Sequence, residues 1–172
     1  MFRKATAADL DGIEMIYDHI HDAEEEGIVT TGWLRGIYPT RDTAMAAIER
    51  DDLFVQLDGD KIVGTAIINQ VQVDVYDGAP WEYDVPADCV TVLHTLVIDP
   101  LEKGKGYGKA FVGFYEQYAR ERKCPYLRMD TNERNTNARA FYQKLGFREI
   151  DIRPCLFNGI PGVNLVLLEK KV

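Results

Sequence analysis

Apolar positions first recur at helical spacing. Behind Thr6, a residue suited to cap a helix, and Asp9 three positions on, Leu10, Ile13, Ile16, Tyr17 and Ile20 fall every three or four residues. This predicts an amphipathic helix that ends near Gly27, with His19 and His21 on its solvated side. The following stretch, VTTGWLRGIYPT, has glycines, a proline and large aromatics but no period. It reads as a loop or broken helix, a candidate lid or substrate wall. Helical spacing returns in TRDTAMAAIERDD through Ala44, Ala47 and Ile48.

From Leu53 the pattern changes to β-branched runs. LFVQLDGDKIVGTAIINQVQVDVY, punctuated at Asp58-Gly59, predicts two or three antiparallel strands. A polar and aromatic connection, DGAPWEYDVPADC, leads into the run Val90 to Ile98, apolar enough for a central strand and closed by Pro100. Phe111, Phe114, Tyr115 and Tyr118 then mark an amphipathic helix. PYLRMDT predicts a short strand, NTNARAFYQKLGF a short helix closing at Gly146, and the remainder a strand pair around Asn158-Gly159 and Pro161-Gly162. The order is α-α-β-β-(β)-β-α-β-α-β-β, a mixed sheet with helices on its faces.

Composition narrows the class. A chain of 172 residues, 46% hydrophobic and 28% charged, suits one domain over residues 1–172 with a buried core. Neither the apolar core of a signal peptide nor a window of about 18 apolar residues occurs, so a cytoplasmic protein without membrane association is expected. The formal net charge is −8, which argues against nucleic acid as a partner. Cys89, Cys124 and Cys155 are odd in number and far apart. Free structural thiols are expected, and no metal site.

Against this acidic background, DPLEKGKGYGKAF is locally cationic. A strand feeding a glycine-rich turn into a helix presents unpaired N–H groups at the positive end of the helix dipole, where an anion binds. The dinucleotide fingerprint G-x-G-x-x-G fails, because Lys109 or Phe111 stands where its last glycine belongs. The P-loop pattern fails at Lys103 and at Ala110.

Read from Lys103, the stretch is K-x-x-G-x-G, which resembles the pyrophosphate-binding loop of the GCN5-related N-acetyltransferase (GNAT) family, Q/R-x-x-G-x-G/A. Lys103 keeps the charge of the first position without its planar fork. NTNARAFYQKLGF, from Asn135 to Phe147, is similar to the family's second signature: Asn, then Tyr seven residues on, then Lys-x-Gly-Phe. The resemblance is specific over Leu93 to Phe147.

The resemblance implies an α/β (α+β) fold whose mixed, mostly antiparallel central sheet is flanked by helices and has a splayed central strand. It implies acetyl-CoA as cofactor, with pyrophosphate on Lys103, Gly104, Lys105, Gly106, Tyr107, Gly108 and Lys109. Pantetheine would lie along the backbone of Leu96, Val97 and Ile98, with Asn135 bonding to it or capping its own helix. Tyr142 would be the general acid, and a backbone N–H near Leu96 the oxyanion donor. His94 suits the general base, with Glu82 and Asp84 as alternatives. Trp33, Tyr38, Trp81, Glu82, Tyr83 and Asp84 would border an amine acceptor, small molecule or peptide, whose positive charge they favour. The expected reaction is direct acetyl transfer to a primary amine. The alternatives are a silent acyl-CoA-binding regulator and transfer of a longer acyl group. The C-terminal strands are a candidate homodimer interface.

Overall fold

The computed structural model describes residues 1–172. The strands are β1 (Phe2–Lys4), β2 (Leu53–Asp58), β3 (Lys61–Asn69), β4 (Val90–Ile98), β5 (Tyr126–Asn132), β6 (Arg148–Phe157) and β7 (Ile160–Lys171). The helices are α1 (Leu10–Glu25), α2 (Arg41–Glu49), α3 (Tyr107–Glu121) and α4 (Thr136–Lys144). The sheet order is β1-β2-β3-β4-β5-β7-β6. Pairing is antiparallel for β1/β2, β2/β3, β5/β7 and β6/β7, while β4 and β5 run parallel. The mixed, mostly antiparallel sheet with flanking helices expected from the sequence is the one observed. No helix is long and apolar enough to cross a membrane.

Local chemistry accounts for the element ends. Thr6 and Asp9 form a capping box ahead of α1, and Thr40 with Thr43 does the same for α2. At the last hairpin Asn158 (φ 46°) and Gly159 (φ 85°) are both left-handed, and Phe157 pairs with Ile160. That is the two-residue turn whose twist matches its strands. Pro161 and Gly162 lie inside β7 rather than in the turn.

Two expectations change. β1 was not foreseen, because three residues are too few to show a period of two. The optional third strand, VQVDVY, is instead a connection with a single 3-10 turn at Asp74–Tyr76. Its alternation has a different cause: Tyr76 is buried while Val71 is exposed, because Tyr76 anchors the connection rather than facing a neighbouring strand.

The chain forms two compact units. The first comprises Met1–Val29, Trp33–Ile68 and His94–Phe114; the second comprises Thr30–Gly32, Asn69–Leu93 and Tyr115–Val172. In the first unit, the α1 face of Ile13, Ile16, Tyr17 and Ile20 packs with Ala44, Ala47, Val55, Ile67 and Val97. Phe2 stacks on Phe114 at 4.6 Å and meets Phe111 edge-on at 5.3 Å.

In the second unit, Leu127, Met129 and Leu165–Leu168 are buried, and β7 is enclosed between β5 and β6. The free edge of the sheet there belongs to β6, not to the VNLVLLEKK strand. One ion pair of this unit is buried on both sides: Arg128 Nε donates to Glu169 Oε2 at 2.9 Å. The other Arg128 nitrogens donate to Gln72 Oε1 (2.6 Å) and the Tyr83 carbonyl (2.9 Å), and the Trp81 ring stacks on the guanidinium at 4.1 Å. Glu169 Oε1 accepts the amides of Glu82 (2.8 Å) and Tyr83 (3.2 Å). This network binds the long connection to the sheet.

Removing one partner of a buried, fully hydrogen-bonded pair strands the other charge. Glu169→Ala is expected to cost about 3 to 5 kcal/mol in urea unfolding. Arg148→Ala, which breaks an exposed pair with Glu82, is expected to cost less than about 1 kcal/mol.

Candidate active site

The exit of β4 is held by one buried carboxylate. Asp99 accepts the Leu101 amide at 3.1 Å, its own amide donates to Val63 at 2.9 Å, and its Oδ1 lies 3.0 Å from Nδ1 of His19. Asp99 is 1% exposed. Beyond it, the loop from Lys103 turns left-handed at Gly104 (φ 88°) and Gly106 (φ 80°) and enters α3 at Tyr107. These two positions need glycine for their backbone, since an added Cβ would meet nothing within 4 Å. Gly108 is the second residue of α3 and helical. The sequence motif therefore places two left-handed glycines ahead of a helix N-terminus.

The charge of the loop is partly engaged. Glu102 accepts from Lys105 and Lys61, which hold its carboxyl down at about 2, and in return Glu102 pushes both lysines up. The Tyr107 hydroxyl donates to Asp58 Oδ2 at 2.5 Å. Lys103 and Lys109 are exposed.

Within β4, the parallel register with β5 runs from Val90↔Tyr126 to Leu93↔Met129. Two residues further, Thr95 adopts φ 51°, so the strand turns between Leu93 and Leu96. His94, Leu96 and Ile98 are half-buried; Thr95 and Val97 are buried. The Thr95 hydroxyl is bonded to that of Tyr38. His21 is buried, with Nε2 3.0 Å from the Pro39 carbonyl. The solvated reading of His19 and His21 therefore fails for a physical reason: each has an acceptor at packing distance on a neighbouring element.

In the second unit, the half-buried Tyr142 projects from α4 among Phe141 (5.3 Å) and Phe147 (6.0 Å). Burial, then the Asp130 carboxyl, push its phenol well up. Asp130 itself is raised to about 6 by burial, against the opposing effect of the Tyr76 hydroxyl, which donates to Oδ2 at 2.7 Å. Asn135 caps α4 through its side-chain oxygen, which accepts the Ala138 amide at 3.2 Å.

A sequence model of the Acetyltransferase (GNAT) family matches residues 13–147. The chain belongs to that family. Solved structures agree in fold. A GNAT-family acetyltransferase from Streptococcus agalactiae 2603 superposes with TM-score 0.82 at 21% identity, covering 100% of this chain and 95% of the other. A ribosomal-protein-alanine N-acetyltransferase from Brucella melitensis gives 0.71 at 21% identity, covering 100% and 99%. A Salmonella typhimurium protein, yncA, solved with its cofactor acetyl-CoA, gives 0.70 at 17% identity, covering 99% and 92%. Comparison with curated proteins finds no match.

The acceptor-side residues of this GNAT chain fall into two groups. Trp33 and Tyr38 meet edge-on at 5.7 Å in the first unit. In the second, Trp81 packs on Tyr76 (5.2 Å) and Arg128, Tyr83 on Tyr126 (5.2 Å), and Glu82 pairs with Arg148 at 2.6 Å. Trp81 and Tyr83 thus have structural partners, and Asp84 is exposed. Asp130 was missed by sequence reasoning. The available signal was a single carboxylate inside the strand PYLRMDT, whose face could not be assigned before β7 and α4 were placed.

The raised pKa of Asp130 carries a sign. An unfolded aspartate titrates near 3.9, so the native state holds the extra proton between about 4 and 6. The resulting stabilisation is fully present below pH 4 and is lost as the pH rises through 6. Asp130→Asn keeps a neutral group there. Its melting temperature relative to the parent protein is expected to rise steadily from pH 4 to pH 7 in a thermal unfolding series; a flat difference would show that Asp130 is not desolvated.

Proposed function

We propose that this GNAT protein is a cytoplasmic N-acetyltransferase that moves an acetyl group from acetyl-CoA to a primary amine by direct transfer in a ternary complex. The observation that carries the reading is the loop of Lys103 to Gly106, with two left-handed glycines delivered to the N-terminus of the 15-residue helix α3. Such a donor set fits a pyrophosphate, since backbone N–H groups and the helix dipole act together. Acetyl-CoA would supply an activated thioester. Lys103, Lys109 and the amides from Gly104 to Lys109 would hold its phosphates, and the backbone of Leu96, Val97 and Ile98 would pair with its pantetheine arm as an added strand. The Asn135 amide nitrogen, beside an oxygen occupied by capping, is the group proposed for the same arm.

An alkylamine at pH 7 is neutral in only about one molecule per 2,500, a penalty of about 4.6 kcal/mol, so a base is needed. Asp130 suits that role. With its pKa raised to about 6 it is mostly ionised at pH 7 yet far more basic than an exposed carboxylate. His94, half-buried beside the β4 turn, is the second candidate. Glu82 is the weaker choice, being paired with Arg148 at the surface. Tyr142 is proposed as the proton donor to the leaving thiolate. Its raised pKa keeps the phenol protonated and makes full proton transfer costly, so it acts mainly by a hydrogen bond to the developing anion. Direct transfer needs no nucleophile from Cys89, Cys124 or Cys155.

The acceptor is proposed to be a cationic amine, small molecule or peptide, bordered by Trp33 and Tyr38 and by the Trp81–Asp84 stretch. Its aromatic and carboxylate groups favour positive charge.

Ligand-dependent thermal unfolding tests the cofactor. Acetyl-CoA and CoA are expected to stabilise the protein by about 2.7 kcal/mol at a hundredfold excess over Kd, with NAD and ATP inert. A preference for ATP would overturn the reading. Gly106→Ala, which forces an L-residue to φ 80°, is expected to weaken that stabilisation at least tenfold in apparent Kd, about 1.4 kcal/mol. Tyr142→Phe should keep coenzyme binding and lose rate by 10- to 100-fold or about that range. Asp130→Asn should lose the limb of the pH–rate profile near 6, whereas an unchanged limb would transfer the base to His94.

A further inference from the structure

The residue at the turn of β4 is a threonine, and the conformation it adopts is one that β-branched residues rarely enter. At φ 51° its Cβ substituents crowd the backbone, and glycine or asparagine is the usual occupant. Thr95 is also buried, at 9% exposure, so surrounding structure has to hold it there. A strained residue that persists inside a fold is over-determined by its contacts.

One contact of Thr95 is specific. Thr95 Oγ1 is bonded to the Tyr38 hydroxyl. Tyr38 belongs to the segment between α1 and α2, and that segment is itself pinned. The Pro39 carbonyl meets His21 Nε2 at 3.0 Å, the Trp33 ring meets Tyr38 edge-on, and Arg35 bonds Asp18, Asp22 and Glu25 of α1. A third hydroxyl, that of Tyr17, is buried and has Tyr38 as its electrostatic neighbour but no hydrogen-bond partner. The structure thus links Tyr38 to Thr95 and leaves the buried Tyr17 hydroxyl unlinked.

We propose that Tyr38 is a positioning residue: bonded to Thr95, it holds the β4 turn in its left-handed conformation and so sets the direction of the Leu96 amide that faces the reacting carbonyl. The inference rests on the acetyl-transfer reading for its consequence, although the turn itself does not. An amide donor acts on an oxyanion only while it points at the site where charge develops. A threonine tied by its side chain gives one direction, whereas a loose turn gives several. In this role Tyr38 acts through Thr95, apart from the border with the acceptor proposed above.

Backbone and rate are read separately in the test. Tyr38→Phe removes one oxygen and keeps the ring. Amide hydrogen exchange over residues 93–98 is expected to quicken about tenfold, and kcat for acetyl-CoA-dependent thiol release with a panel of polyamines, amino sugars and lysine peptides to fall about tenfold or more. KM for acetyl-CoA and thermal stabilisation by CoA should stay within twofold. Thr95→Val should reproduce the effect and Thr95→Ser, which keeps Oγ, should spare it. In a Thr95→Gly background the conformation no longer needs a brace, so adding Tyr38→Phe should change neither readout further.

Unchanged exchange in Tyr38→Phe would overturn the proposal whatever the activity. So would a second full loss of kcat in the Thr95→Gly background, since Tyr38 would then act on the reactants directly. A parent protein that binds no CoA and acetylates no amine would defeat the acetyl-transfer reading instead, leaving the exchange experiment to decide the turn.

Discussion

The geometry of β4 is the constraint from which the site follows. Its first residues hydrogen-bond in parallel register with β5, and its last residues lead into the glycine loop and the N-terminus of α3. A uniform strand cannot do both, because the pleat and twist that serve pairing also fix the direction of every following amide. The turn at Thr95 separates the two duties. Upstream of it Val90, Val92 and Leu93 are buried as in any central strand; downstream, Asp99 terminates the strand and hands the chain to the glycine loop.

Electrostatics in this protein is local rather than global. A net charge of −8 would repel a coenzyme phosphate at long range, but screening confines that effect to about 8 Å at physiological salt. What counts is the composition of the loop, where Glu102 organises Lys61 and Lys105 while Lys103 and Lys109 stay exposed. Acidic residues elsewhere are put to mechanical use. Asp18, Asp22 and Glu25 on α1 fasten Arg35, and Asp11 and Glu14 fasten Arg41.

The second unit uses buried charge in two ways. Arg128 and Glu169 are satisfied on every side and serve as a clasp for the connection that carries Trp81 and Tyr83. Asp130 has one hydrogen-bond donor, Tyr76, and a raised pKa. The contrast follows from desolvation: a paired charge keeps its ionised form, while a buried carboxylate with few donors drifts toward neutrality.

By itself the sequence determined the family, the order of the major elements and the glycine loop ahead of α3, because each depends on local spacing. Helical repeats, glycines that alone tolerate left-handed backbone, and the Asn-to-Tyr interval in NTNARAFYQKLGF are all readable within a few turns of chain. Tertiary structure alone decided what depends on residues far apart. Whether VQVDVY pairs or packs turned on Tyr76 reaching Asp130, 54 positions away. The burial of His21 turned on Pro39, the pKa of Asp130 on what covers β5, and the partner of the Thr95 hydroxyl on Tyr38, 57 positions away. Desolvation and long-range hydrogen bonds have no period, so a single chain carries no pattern from which to read them.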